Sequence, residues 1–141
     1  MSEDYTFTII KPCAVKNGYT GAILADIQQN GFKISAMKFL QLTKNQAEMF
    51  YRIHQGLPFY EKLVAFMISG PVVVAILQRE NAVSEYRKLI GATNPDDAAE
   101  GTIRKKYAKN KQENAVHGSD SNENAAIESN FFFSKCERYE L

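Results

Sequence analysis

One histidine stands in a sequence context that suits nucleophilic chemistry. His117 ends a short apolar run that begins at Ala115, and Gly118 and three small polar residues follow it. Gly118 is expected to leave room beside the imidazole and to allow a backbone turn that other residues resist. An unperturbed imidazole has a pKa of about 6.5, so near neutral pH it is mostly uncharged and keeps a lone pair for attack. The segment therefore favours a nucleophilic histidine, although a single histidine at a strand end is more often an ordinary hydrogen-bonded side chain.

A carboxylate is spaced to assist that histidine. Glu128 lies about two turns into the next predicted helix, close enough to orient the second ring nitrogen of His117. A nucleophile with an orienting carboxylate is a common catalytic arrangement.

Three cationic side chains could hold a phosphate near His117. Lys11 ends the first predicted strand, Arg87 lies on a later helix, and Arg104 follows a Gly101-Thr102-Ile103 segment. The planar fork of arginine suits phosphate oxygens, and lysine supplies a point charge. At an effective dielectric constant near ~20, one cation at about 4 Å attracts a unit negative charge by ~4 kcal/mol before desolvation. Each cation alone is more often part of a solvated helix face, so only the combined set predicts an anion site.

Neither the basic run after residue 103 nor the overall charge favours a dedicated nucleic-acid site. The run contains Arg104, Lys105, Lys106, Lys109 and Lys111, and no stacking array of aromatic side chains accompanies it. The chain has 17 basic and 16 acidic residues, a net charge of +1, whereas nucleic-acid binders usually carry a strong basic excess. We expect a solvated basic helix with one functional member, Arg104.

The motifs with which most nucleotide-binding proteins hold phosphates are absent from the sequence. It contains no G-x-x-x-x-G-K-[ST] loop, no G-x-G-x-x-G, no protein-kinase signature set and no clustered Cys and His ligands. A covalent histidine route is one of the few phosphoryl-transfer mechanisms left. Tyr51 and Phe59 flank a Gly56-Leu57-Pro58 turn, and Phe59 could offer a flat surface to a base. Packing in the core is the default for both rings.

The hydrophobic pattern predicts four strands separated by helices. β-Branched, aromatic and apolar runs mark strands at 6–10, 32–42, 72–77 and 115–117. The run at 72–77 is apolar throughout, which is typical of a central strand covered on both faces. In the run at 32–42, apolar residues of one parity alternate with polar ones, with Lys38 as the exception, which indicates a long, partly buried strand. Those residues are Phe32, Ile34, Ala36, Leu40 and Leu42.

Helical spacing and capping residues fill the intervals between the strands. Helices are predicted around 23–27, from Thr43 to His54, after Pro58, at 81–90, at 102–109 and at the end of the chain, where the last helix finishes at 131–133. Thr43 and Gln46 have capping-box spacing, and Asp120 with Glu123 is expected to cap the last helix. The order predicts an α+β fold, a ferredoxin-like four-stranded antiparallel sheet with helices on one face, plus additional helical segments. The strands alone would also permit a small doubly wound sheet.

The bulk composition predicts one globular domain over residues 1–141. The chain is 45% hydrophobic and 23% charged. The acidic start, Met1–Asp4, lacks the character of a secretory signal, and the apolar stretch at 63–77 falls short of the roughly 18 residues of a membrane span. Cys13 and Cys136 lie far apart without C-x-x-C spacing, so we expect a reduced, cytoplasmic protein that is not bound to a membrane.

Several segments together resemble the nucleoside diphosphate kinase family. NAVHGSDS at 114–121 looks like the family's active-site signature, which is very specific when complete. TIIKP at 8–12, the run at 58–77, GATNP at 91–95 and EGTIR at 100–104 match the family's pattern in the right order, so the resemblance covers essentially the whole chain. It implies a ferredoxin-like enzyme that transfers the γ-phosphate of ATP or another nucleoside triphosphate to a nucleoside diphosphate by a ping-pong route.

The resemblance also implies roles for individual residues. His117 would be the nucleophile that becomes phosphohistidine, Glu128 would orient it, and Ser119 would bond to that glutamate. Phe59 would stack on the base, and His54 would add a phosphate contact. The residues implied to contact nucleotide phosphates, ribose or the histidine site are Lys11, Tyr51, Arg87, Thr93, Arg104 and Asn114.

The resemblance further implies Mg²⁺ carried on the nucleotide phosphates, with no protein metal site, and a homo-oligomer. Pro95 would lie in a loop that helps to assemble subunits, and the short end after the last helix leaves a tetramer or a hexamer open. Two positions depart from the family's pattern: Cys13 stands where an acidic residue is usual, and Leu57 where an arginine is frequent. Neither is a catalytic position, although Cys13 could be oxidisable if exposed.

A protein of another class remains as an alternative, namely a ferredoxin-like module that binds nucleotides or nucleic acid without turnover. Such modules stack bases on sheet aromatics, and here the first strand offers Phe7 and the third offers none. A family member that has lost activity is the related possibility, against which the intact set of site residues argues.

Overall fold

Four strands of the computed structural model, which describes residues 4–141, form one sheet. They are β1 (Tyr5–Ile10), β2 (Lys33–Leu40), β3 (Val72–Gln78) and β4 (Val116–Gly118). Their order across the sheet is β2-β3-β1-β4, and each neighbouring pair is antiparallel. The ferredoxin-like prediction is confirmed, and the antiparallel pairing excludes a doubly wound parallel sheet. The first three residues of the acidic start, on which the argument against a secretory signal drew, lie outside the described residues.

Seven helices connect and cover the strands in the described part of the chain. They are α1 (Pro12–Lys16), α2 (Thr20–Gln29), α3 (Lys44–Phe50), α4 (Tyr60–Met67), α5 (Ala82–Ile90), α6 (Ile103–Tyr107) and α7 (Asn122–Phe132). Short 3-10 turns lie at Arg52–His54, Pro95–Asp97 and Lys135–Glu137. Between residues 4 and 141, every helix is too short or too polar to span a membrane.

Both faces of the sheet are covered, so the prediction of helices on one face is wrong. Helices α2, α5 and α6 pack on one face, and α3, α4 and the end of α7 pack on the other. The reason is the two central strands, which send apolar side chains to both sides. On β1, Ile10 faces the first helix layer, whereas Phe7 and Ile9 face the second. Leaving the second set in water would expose several fully buried side chains, which the second layer prevents.

A bulge in β2 divides the residues that alternate in the sequence. Ile34 pairs with Leu77, but Ala36 pairs with the next residue, Ile76, so Ser35 is the extra residue. Phe32 and Ile34 consequently pack against the α2–α5 side, whereas Ala36 and Leu40 pack against the other side. In a regular strand these residues of one parity would share a face. The bulge was not visible in the alternation.

The capping predictions had mixed outcomes. Thr43 and Gln46 form the predicted capping box at the start of α3, but that helix ends at Phe50 and His54 lies in the following 3-10 turn. Asp120 was the wrong cap for α7. The cap is Ser121, whose hydroxyl accepts a hydrogen bond from the backbone N–H of Asn124, while Asp120 accepts from the side chain of the same asparagine.

Candidate active site

His117 lies in the middle of β4, and its imidazole is held by a carboxylate. In the sheet it pairs with Ile9 of β1. Its Nε2 atom lies 2.9 Å from Oε1 of Glu128, which α7 carries. Because an ionised carboxylate only accepts hydrogen bonds, this contact assigns the proton to Nε2 and the lone pair to Nδ1. The two side chains are 22% and 18% exposed, so the pair is sheltered but still reachable.

The Glu128 carboxylate is fixed by a second donor. The Ser119 hydroxyl donates to the same Oε1 atom at 2.6 Å. Ser119 is fully buried, and its backbone N–H donates to the Phe7 carbonyl at 3.2 Å. The ring of His117, the carboxylate and β1 are therefore joined through one serine.

Lys11 and Asn114 form a buried pair beside the start of β4. The ammonium of Lys11 donates to Oδ1 of Asn114 at 2.8 Å, and both residues are buried. Burial, and then the charge of Arg104, lower the pKa of the lysine from 10.5 to about 8. Asn114 also donates from its amide to the Thr93 carbonyl at 3.5 Å. The Lys11 ammonium is therefore shielded from water, and a bound anion would stabilise its charged form.

The backbone entering β4 makes an unusual turn at Ala115. This residue has a φ of 75°, and the N–H of Val116 donates to the Asn114 carbonyl two residues back at 2.9 Å. This is a γ-turn with positive φ, which is strained for a residue with a Cβ by about 1–3 kcal/mol. The Lys11 N–H donates to the Ala115 carbonyl at 2.8 Å and helps to hold the turn in place.

The turn predicted at Gly118 is therefore at Ala115, and Gly118 has another role. Among the described residues it is not one of the glycines with positive φ. A Cβ added there would lie 3.0 Å from both Ile90 and Tyr86 of α5, rather than crowding the imidazole. Gly118 is needed because α5 approaches the backbone of β4 closely.

Arg104 ties the start of β4 to the end of α5. Its Nη2 donates to the Val116 carbonyl at 2.9 Å and its Nη1 to the Gly91 carbonyl at 3.0 Å, while Nε is buried without a partner in the described residues. The pKa of Arg104 is lowered from 12.5 to about 10, mainly by burial; the Tyr86 hydroxyl opposes this fall, and the charge of Arg87 adds to it. The guanidinium remains charged at neutral pH and is held rigidly.

A cleft opens beside Arg104. Arg87, Thr93 and Arg104 line it together with Gly91 and Thr102. Arg87 and Thr93 are exposed, unlike Arg104. The cleft therefore presents two arginines, one buried and hydrogen-bonded and one exposed, which suits the binding of an anion.

A row of rings extends from the buried site to the surface. Tyr51 is buried and its hydroxyl has no partner in residues 4–141; burial, and then the charge of Glu128, raise its pKa. The His54 ring lies 6.3 Å from the Tyr51 ring and 5.4 Å from the Phe59 ring. Phe59 is 47% exposed, so core packing does not account for it. Phe50 contacts both the Tyr51 ring at 4.9 Å and the His117 ring at 5.8 Å, which links the row to the histidine.

Comparisons with known proteins give the site a family. The family model described as "Nucleoside diphosphate kinase" matches residues 4–138. A nucleoside diphosphate kinase of Flavobacterium psychrophilum is 58% identical over 139 residues, covering 99% of this chain and 100% of that protein. One of Lawsonia intracellularis is 58% identical over 134 residues, covering 95% and 97%. The chain belongs to the nucleoside diphosphate kinase family.

Solved structures of the nucleoside diphosphate kinase family share the fold. The Aquifex aeolicus nucleoside diphosphate kinase has a TM-score of 0.94 and 41% identity, and the match covers 96% of this chain and 98% of that one. A Halobacterium salinarum nucleoside diphosphate kinase in complex with CDP has a TM-score of 0.94 and 33% identity, with coverage of 99% and 93%.

The two departures from the family's pattern lie at the edge of the site. Cys13 is half-buried on α1, and burial raises the pKa of its thiol, which makes the thiolate scarcer rather than more reactive. Leu57 is 45% exposed in the turn before Phe59. Within the described residues, no group of three or more His, Cys, Asp or Glu side chains is placed to hold a metal ion.

Three residues that contact or hydrogen-bond to His117, or to each other beside it, were not predicted from the sequence. Phe50 contacts the His117 ring, and the hydroxyls of Thr8 and Tyr86 meet beneath β4 at 2.6 Å. The alternation of Thr6 and Thr8 within an otherwise apolar strand was the available signal. The structure also removes the platform that the non-catalytic alternative would need, because Phe7 is fully buried and cannot stack on a base.

Proposed function

We propose that the chain is an active nucleoside diphosphate kinase, which transfers the γ-phosphate of ATP or another nucleoside triphosphate to a nucleoside diphosphate through phosphorylated His117. The supporting observation is the hydrogen bond from Nε2 to Glu128, which leaves the Nδ1 lone pair for attack. Without that bond the tautomer would be unspecified and the ring could rotate.

The proposed reaction has two balanced halves. In the first, the Nδ1 lone pair bonds to the γ-phosphorus, the bond from that phosphorus to the bridging oxygen breaks, and a nucleoside diphosphate leaves. In the second, a terminal oxygen of another diphosphate attacks the phosphohistidine, and the P–N electrons return to Nδ1. Glu128 stabilises the charge that the ring acquires, and Ser119 keeps the carboxylate in place.

The cations and polar groups around the ring take the binding roles in this proposal. Lys11 and Arg104 are buried, so their charges act on the transferring phosphoryl group with little screening by water. Asn114 orients the lysine. Arg87 and Thr93, exposed in the cleft, contact the remaining phosphates, and the buried Tyr51 hydroxyl supplies a donor close to Glu128.

The row of rings holds the base and sugar end of the nucleotide. Phe59 stacks on the base, and His54 fills the space between Phe59 and Tyr51 and contributes a phosphate contact. Stacking recognises a flat ring without reading its edge, so base choice should be loose. The Halobacterium salinarum relative was solved in complex with CDP, which supports nucleotide binding by this chain.

Mg²⁺ enters this proposal with the nucleotide. The described residues offer no cluster of acidic, histidine or cysteine ligands, so the nucleotide phosphates would hold the ion in this proposal. When bound, it would neutralise charge on the phosphate oxygens.

The assembly and location are further parts of the proposal. Met37 and Phe39 are 51% and 66% exposed on β2, an edge strand, which supports a homo-oligomer, either a tetramer or a hexamer. The free thiols of Cys13 and Cys136 support a cytoplasmic protein. The single four-stranded sheet of the described residues supports one domain over 1–141. Light scattering after size exclusion measures the subunit number directly.

Labelling with γ-³²P-ATP tests the chemistry. The native chain should take up acid-labile, alkali-stable label and should form GTP from ATP and GDP. The chain has 2 histidines, so His54→Ala is a matched control that should still take up the label, although more slowly because a phosphate contact is lost, whereas His117→Ala should take up none. Label that survives in His117→Ala, or a native chain without label, would refute the phosphohistidine route.

A further inference from the structure

Two hydroxyls beneath β4 form a hydrogen-bond chain whose direction is fixed. The Thr8 hydroxyl lies 2.8 Å from the His117 carbonyl and 2.6 Å from the Tyr86 hydroxyl. A carbonyl can only accept, so the single Thr8 proton goes to His117. Tyr86 must then donate to Thr8. The two hydrogen bonds run from Tyr86 on α5, through Thr8 on β1, to the backbone carbonyl of the proposed nucleophile on β4.

Tyr86 is built to remain the donor at the end of this chain. It is fully buried, and burial raises the pKa of its hydroxyl, so the proton stays on the ring. The ring also lies so close to Gly118 that a Cβ there would come within 3.0 Å of it. One tyrosine therefore contacts the residue after His117 with its ring and reaches His117 itself through its hydroxyl.

The strand that carries His117 has few other supports. β4 has three residues and a single neighbour, β1, and it follows the strained turn at Ala115. Arg104 holds the Val116 carbonyl at one end, and Ser119 is joined to Phe7 at the other. The hydroxyl chain holds the middle residue, which is the one that matters for attack.

We propose that Tyr86 and Thr8 are positioning residues that set the depth of His117 relative to α5 and thus to Arg87, the next residue on that helix. This inference rests on the proposed phosphohistidine function. An error of about 1 Å in the position of a reacting group can lower a rate by about 10²-fold, so a hydrogen-bonded connection across three elements is enough to affect transfer without touching the nucleotide.

The experiment compares the native full chain with four single variants and one double variant. Tyr86→Phe removes the first donor, Thr8→Val removes the link, and Thr8→Ser keeps the hydroxyl. Thr6→Val is the matched control, because Thr6 is fully buried on the same strand and its hydroxyl has no partner in the described residues. The single-turnover rate of His117 phosphorylation and the affinity for ADP are measured for each form, together with the double variant.

The hydrogen-bond chain from Tyr86 through Thr8 to His117 predicts a specific pattern of rates among these variants. Tyr86→Phe and Thr8→Val should each lower the phosphorylation rate about tenfold with ADP affinity nearly unchanged, and the double variant should lose about tenfold rather than about 100-fold, because both changes break one chain. Thr8→Ser and Thr6→Val should keep native rates. Multiplicative losses, or an equal loss in Thr6→Val, would overturn the inference in favour of general destabilisation.

The ¹⁵N shift of the Gly118 amide gives a readout that does not depend on turnover. It responds to hydrogen bonding at the preceding carbonyl, so it should move alike in Tyr86→Phe and Thr8→Val and stay in place in Thr6→Val. A native chain that takes up no ³²P label refutes the proposed function, and with it the role of Tyr86 and Thr8 in phosphoryl transfer. Unchanged Gly118 shifts in Tyr86→Phe and Thr8→Val refute the hydrogen-bonded connection itself.

Discussion

The two ends of the candidate site are built differently. At the phosphate end, Lys11, Asn114 and Arg104 are buried and hydrogen-bonded, and burial lowers the pKa of both cations. At the base end, Phe59 is 47% exposed and contacts His54 through ring packing alone.

The difference indicates where the site must be exact and where it can be tolerant. Phosphoryl transfer depends on charges fixed in place before the substrate arrives, because water does not then have to reorganise. A base that is only stacked can be exchanged for another. We therefore expect changes at the phosphate end to affect rate, and changes at the base end to affect affinity.

Removal of the Lys11 charge should have the largest effect. Lys11→Met keeps the length of the side chain but removes one of the two buried cations that act on the phosphoryl group, and kcat should fall by about 10²–10³-fold. Steady-state kinetics at saturating nucleotide measure this, with circular dichroism to confirm folding. If kcat is retained and only KM rises, the phosphate end binds no more exactly than the base end and the comparison fails.

Closing the gap between α5 and β4 should have the next largest effect. Gly118→Ala puts a methyl group 3.0 Å from Tyr86 and Ile90, and overpacking of this kind destabilises by about 1–3 kcal/mol. Gly21→Ala on α2 is the control, since its Cβ would meet nothing within 4 Å and alanine favours a helix by about 1 kcal/mol. Urea unfolding should show a lower midpoint for the first variant and not for the second; equal midpoints would mean that β4 can shift away from α5.

Loss of the exposed ring should have a smaller effect and of the other kind. Phe59→Ala removes a stacking surface worth about 1–3 kcal/mol, so KM for nucleoside diphosphates should rise about tenfold while kcat changes little. Leu57→Ala in the same exposed turn is the control and should leave both constants as they are. A fall in kcat without a change in KM would place Phe59 in the chemistry instead.

Local features of the site could be predicted from the sequence, whereas features imposed by tertiary contacts could not. His117 and Glu128, 11 positions apart, could be predicted to meet because a short strand and the second turn of the following helix are local features. The strain at Ala115 could not, since nothing in an alanine signals a positive φ; tertiary hydrogen bonds impose it.

Contacts between distant segments were equally invisible. Thr8 and Tyr86 are 78 positions apart, and their meeting depends on the register of β1 and on the close approach of α5 over Gly118. The bulge at Ser35 likewise left the alternation in β2 intact while reversing its faces. Periodicity predicts which residues are buried, but the face of the sheet on which each residue packs depends on the register of the strands.

The smallest predicted effect concerns pH and follows from the buried lysine. The ordinary pKa of lysine is 10.5, and burial lowers that of Lys11 to about 8, so about half of the free enzyme has lost this cation at pH ~8. Because kcat/KM reports the free enzyme, it should fall about fourfold between roughly pH 7 and 8.5. Lys11→Arg should be flat over this range because guanidinium stays protonated, and Phe59→Ala should keep the native fall because its ring does not titrate. A native profile without a fall by about pH 9, or a fall that persists in Lys11→Arg, would contradict this prediction. Lys11 would then stay charged in the free site, and the phosphate end would be less buried than described above.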